Sequence, residues 1–129
     1  MRRSLLIFGT GCLLLVSSGV ADQPAAKWKE LQRHPIPGTQ LDGVTTLIEI
    51  PPGVTSARHT HPGEDFGYMI EGSIELYVDG QAPVKLKAGD IFFTERGHYH
   101  NAKNIGTTVA RAVDTYVIDR GKPGITPAP

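Results

Sequence analysis

From Val44 to Ile118 a turn signal interrupts the chain roughly every eight to twelve residues, too often for helices of ordinary length and typical of short strands in a sandwich or barrel. Pro51-Pro52-Gly53 ends the β-branched run Val44 to Ile50, and Glu71-Gly72 ends a strand over Phe66 to Glu71. In the next segment Ile74, Leu76 and Val78 fall on one face, with Ser73, Glu75, Tyr77 and Asp79 on the other. That period of two marks a half-buried strand. Asp79-Gly80 turns into Val84 to Lys87, Ala88-Gly89-Asp90 turns into Ile91 to Thr94, and Val109 to Ile118 is the last long strand. No stretch sustains a helical period. The fold class is all-β, one domain in a chain of 129 residues. Gly121 to Pro129 is a Pro/Gly tail that cannot pair as an internal strand.

The first 21 residues read differently. Arg2-Arg3, the apolar run Leu5 to Val16 and the small residues Gly19-Val20-Ala21 follow one another in the order of a secretory signal peptide. The expected division is therefore a signal peptide over 1–21 and one domain over 22–129, with a periplasmic mature protein that is free of the membrane after cleavage. The run is diluted by Gly9, Thr10, Gly11, Ser17 and Ser18, which sets it below a membrane anchor, a span needing ~20 mainly apolar residues. Lipid attachment at Cys12 is disfavoured by Gly9 at the start of the required motif. The chain has 13 basic and 13 acidic residues. Losing Arg2 and Arg3 would leave a net charge of about −2 with no basic cluster, which argues against nucleic acid as a partner. Cys12 is the single cysteine, so the mature chain would contain neither a disulfide nor a thiolate metal site.

Five histidines are present. In a strand, His59 and His61 at i and i+2 share a face, so one ion can take a nitrogen from each. Pro62-Gly63 then turns the chain toward Glu64-Asp65, and His100 follows the Glu95-Arg96-Gly97 turn. Imidazole with carboxylate suits Fe, Mn, Ni, Cu or Zn. His34, in His34-Pro35-Ile36-Pro37, reads as a loop residue, and His98 as a turn residue or a contact at the mouth of the site. If residues 65–69 form a regular strand, Gly67 and Met69 share the face of Asp65. Gly67 would then keep the space beside the metal open or relieve a bend. Of Phe92 and Phe93 one faces inward, Trp28 is a packing anchor, and Glu95 is a solvated turn residue.

These residues resemble the cupin superfamily. Its first motif, G-x5-H-x-H-x3,4-E-x6-G, is met at every spacing by Gly53, His59, His61, Asp65 and Gly72. The second, G-x5-P-x-G-x2-H-x3-N, is met by Gly89, Glu95, Gly97, His100 and Asn104. The resemblance covers residues 53–104 and implies a double-stranded β-helix (jelly-roll) barrel. It also implies one divalent transition metal on His59, His61, His100 and a carboxylate. Two positions depart from the pattern. The glutamate of the motif is Asp65, so Asp65, Glu64 one position earlier, or a water fills the fourth place, and strand register favours Asp65. The turn proline is Glu95, which should loosen the turn before His100. Small cupins commonly pair through their sheets, so a homodimer is expected, with the tail from Gly121 able to lie across the partner.

A barrel of this kind hosts many chemistries. Three readings are carried forward: a metal-dependent oxidoreductase of the dioxygenase type on a small molecule, a metal-assisted lyase, isomerase or hydrolase, and a non-catalytic module that binds a metal or small ligand. Metal affinity should fall as pH drops through the ordinary imidazole pKa near ~6.5.

Overall fold

The computed structural model describes residues 24–129. The anticipated signal peptide over 1–21 lies outside the described residues. Two five-stranded sheets face each other, and among the described residues there is no helix. The first runs β1 (Lys27–Pro35), β2 (Leu41–Ile50), β9 (Ala110–Asp119), β4 (Gly63–Glu71), β7 (Ile91–Thr94) in spatial order. The second runs β10 (Thr126–Pro127), β3 (His59–Thr60), β8 (His100–Asn104), β5 (Ser73–Val78), β6 (Val84–Lys87). Every pairing is antiparallel, and from β2 onward the chain crosses between the sheets at each connection except the one from β5 to β6. This is the double-stranded β-helix.

Alternation decides which side chains meet between the sheets. Along β9, Ala110, Ala112, Asp114, Tyr116 and Ile118 are buried while their neighbours are half-exposed. Along β4 the inward set is Gly63, Asp65, Gly67 and Met69. Ile50, Met69, Ile74, Leu76, Val78, Leu86, Ala110 and Ala112 form one apolar cluster, and Val44, Tyr116 and Ile118 form a second. Burying each large aliphatic side chain contributes about 1.5–3 kcal/mol. Ala110 and Ala112 are small, and the space they leave opposite Ile74 and Leu76 becomes part of an internal cavity.

Two glycines are required by close approach. A Cβ on Gly63 would lie 1.9 Å from the Val117 carbonyl oxygen and 2.6 Å from Ile118 Cα, both backbone atoms of the paired strand. Gly72 has φ +78°, and its Cβ would lie 2.7 Å from Ala110 Cα. Only glycine adopts that backbone without strain.

Several expectations are corrected here. His34 is not a loop residue: it lies in β1, opposite Gly43. Gly67 does not hold space open. The Phe92 ring fills it, 2.0 Å from where a Cβ would stand. The tail lies on its own barrel, with Thr126 paired to Thr60 and Pro127 to His59. Its strand is at a sheet edge, where proline is tolerated. The Glu95 turn is tied down by other means: His98 N–H donates to Glu95 O at 3.2 Å, and the Arg96 guanidinium pairs with Asp119 at 2.9 Å.

Candidate metal centre

His59 on β3 sits directly across from His100 on β8, and His61 follows where β3 ends. All three are buried, with ring centroids 4.4 Å (His59–His100), 4.9 Å (His61–His100) and 5.0 Å (His59–His61) apart. One nitrogen from each lies within 4.8 Å of the others. The three histidines can hold a metal ion.

The hydrogen bonds fix which nitrogen each ring presents. His59 Nδ1 is 2.8 Å from Ala57 O, His61 Nδ1 is 2.6 Å from Gly124 O, and His100 Nδ1 is 2.9 Å from His98 O. A carbonyl oxygen only accepts, so each neutral ring carries its proton on Nδ1 and leaves Nε2 as a bare lone pair. Metal-bound histidines take this arrangement. Yet His61 Nε2 and His100 Nε2 lie 3.2 Å apart. Two lone pairs at that distance repel unless a cation sits between them. Burial pushes the His61 pKa down to about 3 and that of His100 to about 4, and lowers His59 for the same reason. The rings therefore stay neutral and ready to ligate at ordinary pH.

Asp65, the expected carboxylate, lies next to the three histidines but outside the group whose ligand atoms converge. It is fully buried on β4, and its Oδ2 is 3.5 Å from His61 Nε2. Neither carboxyl oxygen has a hydrogen-bond partner. Asp42, also buried, shows the usual remedy: the Gly121 N–H at 3.0 Å, then Arg33 and Arg120, hold its carboxyl below the ordinary range. Asp65 has no such help, and burial pushes it up to about 8. An orphaned buried carboxyl 3.5 Å from a bare imidazole nitrogen is compatible with a divalent cation at the three histidines. Glu64 is turned away from the cluster, and its Oε2 accepts from the Arg96 N–H at 3.1 Å.

The other candidates separate cleanly. His98 is exposed, 3.6 Å from Glu95, and only its backbone carbonyl touches the cluster, through His100. Asn104 is structural: its Nδ2 donates to Ile50 O at 2.7 Å and Thr108 O at 2.8 Å, and its Oδ1 accepts from Gly106 N–H. Trp28 is more than an anchor. It meets His59 edge-on at 5.7 Å and lines the cavity with Phe92.

Three participants escaped the sequence reading. Gly124, in the tail, holds the His61 ring through its carbonyl. Tyr116 stacks on that ring at 4.2 Å. Asp114, buried beside Asp65, has an Oδ1 without a partner. Burial raises its pKa well above the usual range, and the Asp65 carboxyl raises it further. The signal for the last two was available: Asp114 and Tyr116 stand in register with Ala110, Ala112 and Ile118, and a charged residue among inward positions is conspicuous.

The pH expectation changes accordingly. Neutral histidines have no proton to lose, whereas Asp65 below about pH 8 does. Metal loading at pH 7 should therefore release about one proton per chain, and affinity should fall as pH drops below 8, rather than only below ~6.5. Calorimetry in buffers of different ionisation enthalpy measures this directly. No released proton at pH 7 would mean that Asp65 does not ligate as a carboxylate.

Known proteins agree with this architecture. The chain is 36% identical over 61 residues to an oxalate-binding protein from Thermotoga maritima, covering 47% of this chain and 50% of that one. It is 32% identical over 54 residues to a dimethylsulfoniopropionate lyase from Ruegeria pomeroyi, covering 42% and 27% respectively. The chain thus spans half or less of the length of these two relatives. A Klebsiella pneumoniae protein with a double-stranded β-helix domain superposes with a TM-score of 0.68 at 25% identity, covering 84% of this chain and 89% of that one. Residues 46–116, more than half of the chain, match the profile of the cupin domain, and the chain belongs to that family.

Proposed function

We propose that this chain holds one divalent transition-metal ion (Fe, Mn, Ni, Cu or Zn) through His59, His61, His100 and Asp65, and acts with it on a small molecule. The observation that carries this reading is the convergence of bare Nε2 lone pairs, 3.2 Å apart for His61 and His100, beside a buried carboxyl without a partner. Bound there, the ion would supply Lewis acidity or redox capacity. The chain's own residues do the rest. Ala57, Gly124 and His98 carbonyls lock the three rings, Met69, Ile74, Leu76 and Phe92 wall the cavity against water, and Asp114 offers a second carboxyl inside it.

The leading chemistry is an oxidoreductase of the dioxygenase type. Metal-assisted lyase or isomerase chemistry is the second reading. It is favoured by Asp114, a carboxyl on the cavity wall that burial keeps protonated and so able to give a proton, and by the likeness to a lyase. Metal-loaded protein screened against small acids and alcohols, with and without O₂, decides between them. Oxygen uptake supports the first, turnover under argon the second, and full metal occupancy with neither supports a binding module.

Export and pairing are part of the same reading. Arg2-Arg3 and the apolar run after it support cleavage near Asp22 and a periplasmic location. Phe66, Tyr68, Ile70, Ile91 and Phe93, exposed together on the outer face of β4 and β7, support a homodimer through that sheet. Mass spectrometry and light scattering of the exported protein check both. An intact Met1 would refute the first, and a monomer at micromolar concentration the second.

A further inference from the structure

Asp42 is a buried charge at an inward position of β2, in register with Val44 and Thr46, and the metal centre does not use it. What it holds is the start of the C-terminal segment. Its Oδ2 accepts from the Gly121 N–H at 3.0 Å and pairs with Arg33 at 3.4 Å, while its Oδ1 pairs with Arg120 at 3.6 Å. Arg33 also donates to Lys122 O at 3.1 Å, and Arg120 to Thr39 O at 2.8 Å. The turn itself is closed by the Lys122 N–H to Asp119 O at 3.1 Å, with Gly121 at φ +73°. One carboxylate and two guanidinium groups thus fasten a single turn, Asp119 to Lys122, where β9 ends. Hydrogen bonds to charged groups are the stronger kind, so this is the firm end of the segment.

Two residues beyond Lys122 the segment reaches the metal centre. Gly124 O accepts from His61 Nδ1 at 2.6 Å. Gly124 packs on Tyr116, where a Cβ would stand 3.2 Å from two ring carbons, and Tyr116 stacks on His61 at 4.2 Å. His59 and His100 are held by the carbonyls of Ala57 and His98, each two residues earlier in the chain. The partner of His61 is 63 residues away. That bond lasts only while the segment stays in place. Past Gly124 the segment is held by the edge pairs Thr126–Thr60 and Pro127–His59 and by the Ala128 N–H to Arg58 O. So short an edge pairing is the kind of contact that opens locally.

Resting on the metal reading above, we propose that Asp42 is a positioning residue for the metal centre. By fixing the Asp119–Lys122 turn it places the Gly124 carbonyl, and that carbonyl keeps the His61 proton on Nδ1 and its Nε2 free for the cluster. Arg33 acts in the same way through Lys122. The direct partner of a ligating ring contributes about 10–100-fold to metal affinity, and Asp42, acting through that partner, is expected at the lower end.

Two measurements on the full chain test this. Long-range ¹⁵N–¹H spectra of the metal-free protein read the His61 tautomer, and cobalt(II) titration reads affinity. In Asp42→Ala the His61 signal should pass from one Nδ1-protonated form to a mixture, with cobalt affinity about tenfold lower. Asp42→Asn keeps an oxygen for the Gly121 N–H and should recover to within about threefold of wild type. Gly124→Val, which lifts the segment off Tyr116, should imitate Asp42→Ala. Combining the two should cost less than about twofold more, because both act through one bond. Should Asp42→Ala fail to fold, Arg33→Met carries the same comparison, with a loss of about threefold. An Nδ1-protonated His61 and unchanged cobalt affinity in Asp42→Ala, whatever its melting temperature, would overturn the proposal and leave Asp42 a structural residue. So would losses that multiply in the double variant. The tautomer separates this proposal from the metal reading: a mixed His61 signal in Asp42→Ala shows that Asp42 positions the ring, and a wild type that takes up no cobalt would strike the metal reading alone.

Discussion

Asp65→Ala is expected to lower metal affinity by about 100-fold while leaving the metal-free protein as stable as wild type or more so. The two effects have opposite signs for one reason. In the metal-free state the Asp65 carboxyl is buried with neither oxygen paired, so removing it relieves a desolvation cost of about 1–3 kcal/mol. On the proposed reading, the same carboxylate would be the anionic donor to the ion once it is bound. Glu64→Ala should change affinity less than threefold, because Glu64 holds the Arg96 backbone on the outside of the sheet. Metal titration and thermal melts with and without metal measure both arms. A larger loss from Glu64→Ala would place the carboxylate one residue earlier.

Gly63→Ala should be the most damaging single-methyl change in the protein, costing about 3–5 kcal/mol or preventing folding outright. The added carbon would stand 1.9 Å from the Val117 carbonyl oxygen and 2.6 Å from Ile118 Cα. Both belong to the backbone of β9, a ten-residue strand paired along both of its edges. No side chain can rotate away to make room. Gly43→Ala is the control: its Cβ meets nothing nearer than 4.0 Å, and the melt should stay within about 0.5 kcal/mol of wild type. Equal tolerance of the two substitutions would show that β4 and β9 are not held as close as described.

The contrast between these two sites explains what the sequence could and could not tell. Spacing carried the histidine cluster, because His59, His61 and His100 sit at fixed offsets from the turn glycines Gly53, Gly72, Gly89 and Gly97. Alternation carried β5, where Ile74, Leu76 and Val78 share a face. β8 was invisible, since His100-Asn-Ala-Lys-Asn104 has none of the β-branched or aromatic residues that mark strands. β1 failed similarly, with charges and glutamine scattered along Lys27–Pro35. It is held in the sheet by its ten-residue neighbour β2 rather than by its own preference.

The tail was unreadable for a different cause. Its Pro/Gly composition correctly excluded an internal strand but says nothing about which surface it crosses. That is settled by one long-range bond, His61 Nδ1 to Gly124 O at 2.6 Å, together with the pairing of Thr126 to Thr60. The tail thereby sets the orientation of one of the three rings that could hold a metal ion. Gly67 shows the reverse error. A missing side chain beside a site looks like open space in the sequence, whereas here the Phe92 ring occupies it.

The central claim is that His59, His61 and His100 present three Nε2 atoms, with Asp65, to one ion. X-ray absorption of protein purified without an affinity tag and loaded with one equivalent of cobalt(II) tests it most directly, set beside the same measurement on His100→Ala. Wild type should bind about one ion per chain with a first shell of three imidazole nitrogens at ~2.0–2.1 Å plus oxygen, and His100→Ala should lose stoichiometric binding while keeping its β-sheet circular dichroism. Full occupancy in His100→Ala, or a wild-type shell with fewer than three imidazoles, would contradict it.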